Sequence, residues 1–301
     1  MVNIYDVIIL GSGVTGYSAA IYSARFGLKT LVIGTRFGGL LQDTNIVENY
    51  PGYKSISGLD LMKKFKEHVE DYDIDMVEDE VKDVKKIKNC FSVKGKKSYK
   101  GKTLIFATGS KRRKLDVKGV EEFEGKGVSY CALCDGPLFK NKTVCVIGGS
   151  DSAAKEALLL SEYTKKVYII YRKEKIRAEP INLERVNKSK KIEVINNTNI
   201  VEAKGSKFVE KVVLDKNFKG SKELKLDAIF IEIGQIPESE LAKKLGVKLN
   251  KKGEIIIDCD SRTNVEGVCA AGDVADKEFK QAITGASEGV IAAFNLYEYL
   301  K

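Results

Sequence analysis

The chain has 301 residues, a length that fits two domains better than one. Hydrophobic residues make up 43% of it and charged residues 31%, which is typical of a soluble protein with a sizeable core. Neither a run of roughly 20 apolar residues that would cross a bilayer nor a signal-peptide pattern is present, so we predict a cytoplasmic protein with no membrane partner. The net charge of +9 comes from lysines spread along the whole chain, which argues against nucleic acid as a partner.

The first predicted elements form a strand, a glycine turn, a helix and a second strand. A β-branched apolar run at 5–10 indicates a buried parallel strand, and it leads directly into Gly11-Ser12-Gly13-Val14-Thr15-Gly16. In this context G-x-G-x-x-G predicts a dinucleotide site: Gly11 makes the tight turn, Gly13 admits a pyrophosphate, and Gly16 lets helix and strand pack closely. A tight turn without a ligand is the alternative. The acidic residue that usually binds the ribose some 20 positions on is missing.

The next stretch holds a long loop and further regular structure. Residues 37–53 are rich in glycine and then polar, and a loop of this length usually has a function. Residues 59–72 show the spacing of an amphipathic helix, with His68 on its solvated face rather than in a catalytic position. A β-meander is predicted at 85–100, and a buried strand with a small-residue turn at 103–109.

A C-x-x-C pair, Cys131 and Cys134, follows. Such a pair serves dithiol redox chemistry, forms half of a zinc site, or occurs by chance in a buried segment. Zinc needs two more ligands at short spacing, whereas His68 is the sole histidine and the other cysteines are isolated: Cys90, Cys145, Cys259 and Cys269. We therefore predict redox chemistry and no metal site. Cys145 lies in an apolar strand, where we expect it to be inert.

The strand–glycine–helix–strand pattern then repeats. A strand at 143–147 leads into Gly148-Gly149-Ser150, and a helix at 153–163 and a strand at 166–171 follow. The repetition predicts two dinucleotide-type domains. In the second turn Ser150 places a Cβ where the backbone would approach a pyrophosphate. The basic residues at 172–177 fit either a ribose 2′-phosphate or a solvated loop.

In the final third of the chain, the sequence pattern predicts strands and hairpins at 191–233, a buried strand at 268–271 and a closing helix at 281–300. Asp273 follows Gly272 at the end of that strand, where its carboxylate is suited to accept hydrogen bonds from sugar hydroxyls. Alone, the Gly272-Asp273 pair is a weak signal.

Taken together, these motifs resemble the low-molecular-weight thioredoxin reductases, which are FAD-containing pyridine nucleotide-disulfide oxidoreductases. The resemblance covers essentially the whole chain. The matching segments are Gly11 to Gly16, Gly38-Gly39, Glu48-Asn49-Tyr50-Pro51-Gly52, Ala107-Thr108-Gly109, Tyr130 to Gly136 and Gly272-Asp273. The most specific segment is 128–136, in which Leu133 replaces the family's usual threonine.

The resemblance implies an α/β fold of two Rossmann-like three-layer domains, the second inserted into the first. Residues 1–114 and 242–301 would form the FAD domain, and 115–241 the inserted domain that receives the hydride donor and carries the disulfide. The implied FAD residues are Gly11, Ser12, Gly13, Gly16, Gly39, Asn49, Ala107, Thr108, Gly109, Asp273, Gln281 and Ala282. The implied donor residues are Gly148, Ser150, Arg172, Lys173 and Arg177.

The resemblance also implies a homodimer and a hydride relay. A donor would reduce FAD, reduced flavin would open a Cys131–Cys134 disulfide, and the dithiol would exchange with thioredoxin or a thioredoxin-like protein. Cys134 would lie nearer the flavin, and Asp135 would donate and accept the proton. An ordinary Asp-Gly turn is the alternative reading of Asp135.

Departures from the family pattern concentrate in the donor site. The family's three glycines are Gly148-Gly149-Ser150 here, its His-Arg-Arg is Tyr171-Arg172-Lys173, and its Arg-Gln pair is Lys280-Gln281. Our hypothesis is a donor other than NADPH, either NADH or a reduced deazaflavin, with NADPH as the alternative. Two further functions stay open: a flavin reductase for another acceptor such as a ferredoxin, and a redox-sensing nucleotide-binding regulator.

Overall fold

The computed structural model describes residues 4–301, which form two compact units. The first comprises residues up to Lys111 and Ile236–Lys301, and the second comprises Arg112–Gln235. The chain passes between them through β7 (Ser110–Arg112) and β16 (Gln235–Pro237), two short strands that pair with each other. The boundaries expected at 114 and 241 therefore lie three and six residues beyond those observed, because the transition falls within these paired strands.

The first unit contains a seven-stranded sheet. Its strands are β1 (Ile4–Leu10), β2 (Thr30–Gly34), β3 (Ile74–Glu78), β4 (Asp83–Ile87), β5 (Cys90–Lys94), β6 (Ser98–Phe106) and β17 (Val268–Ala270). They are ordered β3-β2-β1-β6-β5-β4, and β17 also pairs with β6. The central pairs β2–β1, β1–β6 and β6–β17 are parallel, whereas β4 and β5 form the antiparallel meander that the alternating pattern predicts.

The helices of the first unit cover the faces of this sheet. They are α1 (Val14–Arg25), α2 (Gly58–Glu70), α6 (Glu240–Lys244) and α7 (Ala282–Leu300), with 3₁₀ turns at Gly39–Asp43 and Gly272–Val274. Small residues let α1 and α7 pack closely: a Cβ added to Gly289 would lie 2.3 Å from the Thr15 carbonyl oxygen. This contact fixes the start of α1, where the glycine turn ends.

The second unit repeats the plan with a five-stranded parallel sheet. Its strands are β8 (Val128–Ser129), β9 (Thr143–Ile147), β10 (Lys166–Ile170), β11 (Ile192–Ile195) and β15 (Ala228–Ile231), in the order β11-β10-β9-β15-β8. A separate antiparallel sheet contains β12 (Ile200–Gly205), β13 (Val209–Phe218) and β14 (Ser221–Lys225). The helices are α3 (Ala132–Asp135), α4 (Asp151–Tyr163) and α5 (Pro180–Lys188), with a 3₁₀ turn at Gly136–Phe139.

Both sheets are buried on both faces, which explains their continuous apolar strands. Along β1, Ile8 and Leu10 join one apolar cluster while Val7 and Ile9 join another on the opposite face. The two dinucleotide-type, three-layer domains thus confirm the predicted fold class. Helices α3, α5 and α6 were not predicted; all three are short. No helix within residues 4–301 combines the length and apolar character needed to span a bilayer.

Candidate active site

The two cysteines of the C-x-x-C pair form a disulfide, with their Cα atoms 5.3 Å apart. The short helix α3 begins immediately after Cys131, and its single turn brings Cys134 back beside it. The Cys134 backbone N–H donates to the Cys131 Sγ atom at 3.1 Å. Cys134 is exposed and Cys131 is half-buried, so a sulfur atom of this bond is open to solvent.

A serine holds the acidic residue beside the disulfide. Ser129, the last residue of β8, donates its hydroxyl hydrogen to the Asp135 Oδ2 atom at 2.6 Å. The same hydroxyl oxygen accepts the Cys131 backbone N–H at 3.0 Å. Ser129 therefore ties the carboxylate to the backbone of the redox pair, an arrangement that a simple Asp-Gly turn does not require. Sequence reasoning missed this role, although Ser129 belongs to the most specific motif.

The remaining cysteines are free. Cys145 and Cys269 are buried, and burial raises the pKa of both thiols, that of Cys269 to about 12. Cys145 lies fully buried in β9, so its inertness stays a prediction that its burial supports. Cys90 is half-buried and Cys259 is exposed.

The first glycine turn, in the first unit, is as tight as the motif predicts. Gly11 has a φ of +116°, and a Cβ at this position would lie 2.0 Å from the Ala107 carbonyl oxygen. A Cβ on Gly16 would lie 2.0 Å from the Gly11 carbonyl oxygen. The turn therefore packs against the end of β6 on one side and against α1 on the other, which only glycine allows.

This turn presents backbone groups that suit a pyrophosphate. Gly13 precedes α1, and no side chain of residues 4–301 caps the first N–H groups of that helix. A Cβ built on Gly39 would lie 3.2 Å from the Gly13 Cα atom, so two side-chain-free segments face each other here. Free N–H donors and the positive end of the helix dipole suit phosphate oxygens. The Ser12 hydroxyl instead donates to the Arg36 carbonyl at 3.1 Å.

Other residues that the resemblance assigned to FAD are brought together in the same unit. Asn49 donates its side-chain amide to the Gln281 Oε1 atom at 3.0 Å, although 232 positions separate them in the chain, and Ala282 begins α7 directly after it. Burial raises the pKa of Asp273, and no hydrogen-bond donor within residues 4–301 reaches its carboxylate. These groups therefore fit an FAD whose ribityl and ribose hydroxyls need acceptors.

Two of the assigned residues have other roles in the structure. The Thr108 hydroxyl donates to the Glu238 carbonyl oxygen at 2.6 Å, and Gly109 follows it with a φ of +67°. Their contribution to cofactor binding stays a prediction.

The second glycine turn reproduces the first in its backbone but not in its opening. A Cβ on Gly148 would lie 2.1 Å from the Glu232 carbonyl oxygen, as Gly11 lies against Ala107. Ser150, however, caps α4 and accepts the Ala153 N–H at 3.4 Å, so a side chain satisfies a donor that the first turn leaves free. Phosphate binding here would compete with this cap.

Two more residues occupy the space around this turn. Asp151 is the first residue of α4; burial raises its pKa, but hydrogen bonds from Lys155, Asn182 and the Glu179 backbone outweigh burial and hold it below the usual value. It therefore adds a carboxylate at the start of the helix that would repel phosphate. The Tyr171 ring covers Gly149, since a Cβ there would lie 2.4 Å from the ring. Asp151 was missed in the sequence; an acid directly after the turn was the available signal.

The basic residues predicted for the donor lie on the surface of the second unit. Arg172, Lys173 and Arg177 are exposed, and none forms an ion pair within the described chain. The Arg177 backbone N–H donates to the Gly149 carbonyl oxygen at 2.6 Å, so the segment after β10 also lies across the turn. The structure therefore places these cations near the second glycine turn, but the Ser150 cap and the Tyr171 ring leave less room for a phosphate there than in the first turn.

The fold, the two glycine turns and the disulfide together define an α/β oxidoreductase of the flavin-dependent type with a redox-active cysteine pair. Residues 5–289 match the family model described as "Pyridine nucleotide-disulphide oxidoreductase". A thioredoxin reductase of Listeria innocua is 39% identical over 99% of this chain and 95% of its own.

Solved structures agree with these sequence matches. The thioredoxin reductase of Lactococcus lactis has a TM-score of 0.94 at 38% identity and covers 98% of this chain and 99% of its own. That of T. acidophilum has a TM-score of 0.93 at 39% identity, with 98% of each chain covered. The chain belongs to the pyridine nucleotide-disulphide oxidoreductase family, and it is an FAD-dependent disulfide oxidoreductase. The resemblance to thioredoxin reductases seen in the sequence is confirmed.

Proposed function

We propose that this chain is a thioredoxin-disulfide reductase that passes electrons from a hydride donor to the Cys131–Cys134 disulfide and on to thioredoxin or a thioredoxin-like protein. The observation that carries the proposal is the exposed disulfide at the start of α3, with Asp135 held beside it. Whole-chain similarity to thioredoxin reductases supports the choice of partner. A flavin reductase for another acceptor would not need this cysteine pair.

FAD, held by the first glycine turn, Asn49, Gln281 and Asp273, supplies two-electron chemistry when bound. Two electrons break the Cys131–Cys134 bond, and one proton then leaves a thiol and a thiolate. The thiolate attacks the partner's disulfide to form a mixed disulfide, which the second cysteine resolves. Asp135, oriented by Ser129, is placed to exchange the proton with the cysteine pair.

The hydride donor is other than NADPH in this proposal, with a reduced deazaflavin or NADH in its place. Three features of the second turn support it: the Ser150 cap, the Asp151 carboxylate and the Tyr171 ring over Gly149. Each one occupies or repels what a dinucleotide pyrophosphate needs, so the three together favour the deazaflavin over NADH as well as over NADPH. The exposed Arg172 and Lys173 favour the alternative, a donor that carries a 2′-phosphate.

Anaerobic stopped-flow reduction of the FAD-loaded protein tests the donor. NADPH, NADH and reduced deazaflavin are compared at micromolar concentration, and thioredoxin thiols are then counted after turnover. We expect the best donor to bleach the flavin at least about a hundredfold faster than NADPH. Rapid bleaching by NADPH overturns the choice of donor but leaves the disulfide reductase intact. Rapid bleaching without thiol formation in thioredoxin overturns the choice of partner.

A double variant tests why NADPH is disfavoured. Changing Ser150→Gly and Asp151→Asn removes the cap and the negative charge, and we expect flavin reduction by NADPH to rise about fivefold, since removing the repulsion between a carboxylate and a phosphate is worth about 1 kcal/mol. Glu162→Gln, an exposed change on the same helix, should leave the rate unchanged. Equal NADPH rates in all three proteins would contradict this explanation.

A homodimer is also part of the proposal. Tyr22, Phe294 and Tyr299 are 38%, 48% and 48% exposed, and Phe26 stacks on Tyr297 beside them at 4.8 Å between ring centroids. An aromatic patch of this kind on α1 and α7 is typical of an interface. Light scattering should give the mass of two chains, and Phe294→Glu should give that of one; a monomeric parent protein would contradict the dimer.

We also propose the cytoplasm as the location, since four of the six cysteines are free while one pair is placed to cycle.

A further inference from the structure

Two half-buried glutamates lie behind the disulfide in the second unit, and the reaction described above uses neither. Glu156, on α4, accepts the Ala132 backbone N–H at 3.4 Å, so it contacts the residue between the cysteines that begins α3. Its Oε2 atom is buried without a hydrogen-bond donor in the described chain. Glu232 follows β15, and its carboxyl group lies within hydrogen-bonding range of Glu156.

The fold does not demand acids at these two positions. The two units share the same turn geometry, so Gly148 corresponds to Gly11, and the eighth residue after each is Glu156 in one and Ala19 in the other. Glu232 likewise corresponds to Ala107, since each carbonyl packs against the first glycine of its turn. Both alanines are buried. Burying two carboxyl groups where alanine suffices is costly, which points to a role beyond folding.

Arg112 completes the cluster. Its guanidinium donates to the Tyr130 carbonyl oxygen and acts on both carboxyl groups. The cluster therefore holds the disulfide segment from both sides, through the carbonyl of Tyr130 and the N–H of Ala132. Two carboxyl groups in mutual contact share a proton, so with one carboxylate and one guanidinium the cluster is neutral.

We propose that Glu156 and Glu232 are positioning residues that share one proton beneath the redox disulfide, so that the loss of this proton controls how readily the reduced Cys131–Cys134 pair forms its thiolate. The proposal rests on the redox role of the disulfide. While the proton is shared, the neutral cluster leaves the thiolate undisturbed. Once the proton is lost, a net negative charge beside Ala132 repels the thiolate and raises the pKa of the thiol.

The pH range in which the shared proton is lost follows from the direction of the pKa shifts of the two glutamates. Burial, followed by the charge of Glu232, raises the pKa of Glu156 well above its usual value, and burial raises that of Glu232. Between the ordinary glutamate pKa and the raised one, the folded chain binds a proton that the unfolded chain has released. Stability therefore falls as the pH rises through this range. The charged groups that act on Glu156 are Glu232 and Arg112.

The test uses the flavin-loaded chain reduced chemically with a dithiol, so that neither the donor nor thioredoxin enters. The rate at which iodoacetamide alkylates the 131–134 peptide is measured against pH by mass spectrometry. We expect the wild-type curve to rise in two steps and the Glu156→Gln curve to follow a single titration. Where the pair loses its proton, the variant should react about tenfold faster, the effect of one pKa unit.

Glu162→Gln, on the exposed side of α4, should behave as the wild type. The second measurement is thermal unfolding against pH: the decline in stability should disappear in both Glu156→Gln and Glu232→Gln. A single-step wild-type curve that superimposes on Glu156→Gln overturns the proposal, as does an unchanged pH dependence of unfolding in Glu232→Gln if Glu156→Gln does not fold. Failure of thioredoxin reduction in the wild type would instead contradict the proposed function.

Discussion

Serine in place of Cys134 is expected to lower the rate of thioredoxin reduction at least about a thousandfold, because oxygen can neither form the disulfide nor leave as a thiolate. Flavin reduction by the donor should persist, since the first glycine turn and the other residues assigned to FAD lie in the first unit, whereas Cys134 lies in the second. The measurement is anaerobic turnover with thioredoxin, alongside stopped-flow reduction of the flavin. Cys131→Ser should have the same effect on turnover.

Cys259→Ser is the matched control, since Cys259 is also exposed but free and should keep full activity. If the Cys131→Ser, Cys134→Ser double variant still transferred electrons to the physiological acceptor at the wild-type rate, the chain would be a flavin reductase. The two single variants also separate the cysteines: a mixed disulfide with thioredoxin should accumulate in the one that retains the attacking sulfur.

Alanine in place of Gly11 should abolish stable flavin binding and weaken the fold. The new Cβ would lie 2.0 Å from the Ala107 carbonyl oxygen at a φ of +116°, so overpacking and backbone strain together should cost about 2–5 kcal/mol. The end of β6 or the start of α1 must move, which displaces the N–H groups at the start of α1 that would bind the pyrophosphate. The flavin-to-protein absorbance ratio should fall below about a tenth of the wild-type value, and the urea midpoint should fall with it.

Gly246→Ala is a control that separates the effect of backbone strain from that of steric overlap with Ala107 in Gly11→Ala. Gly246 has a φ of +88° with no atom within 4 Å of an added Cβ, so this change should cost only the backbone strain of about 1–2 kcal/mol and leave flavin content unchanged. Equal losses in both variants would show that the backbone conformation, rather than contact with Ala107, decides the outcome. Normal flavin content in Gly11→Ala would contradict the assignment of this turn to FAD.

Local sequence patterns predict much of this fold. Parallel strands buried on both faces read as continuous apolar runs, so 5–10 and 143–147 were placed to within a residue of β1 and β9. The two glycine turns were equally predictable from the sequence, because a left-handed φ and a close approach of two backbone segments both need glycine. Helices α3, α5 and α6 were missed, since segments of four to nine residues are too short to show a repeating apolar face and form helices through tertiary contacts.

The sequence by itself determined the class of this protein: two Rossmann-like domains, a glycine turn suited to a dinucleotide and a redox-active cysteine pair, each encoded within a few adjacent residues. Tertiary structure decided what depends on distant residues meeting. It placed Asn49 against Gln281, Tyr171 over Gly149, and Glu156 beside Glu232 beneath Ala132. Nothing in local periodicity reports such pairings, because the charge and proton state of a buried group depend on neighbours that only the fold supplies.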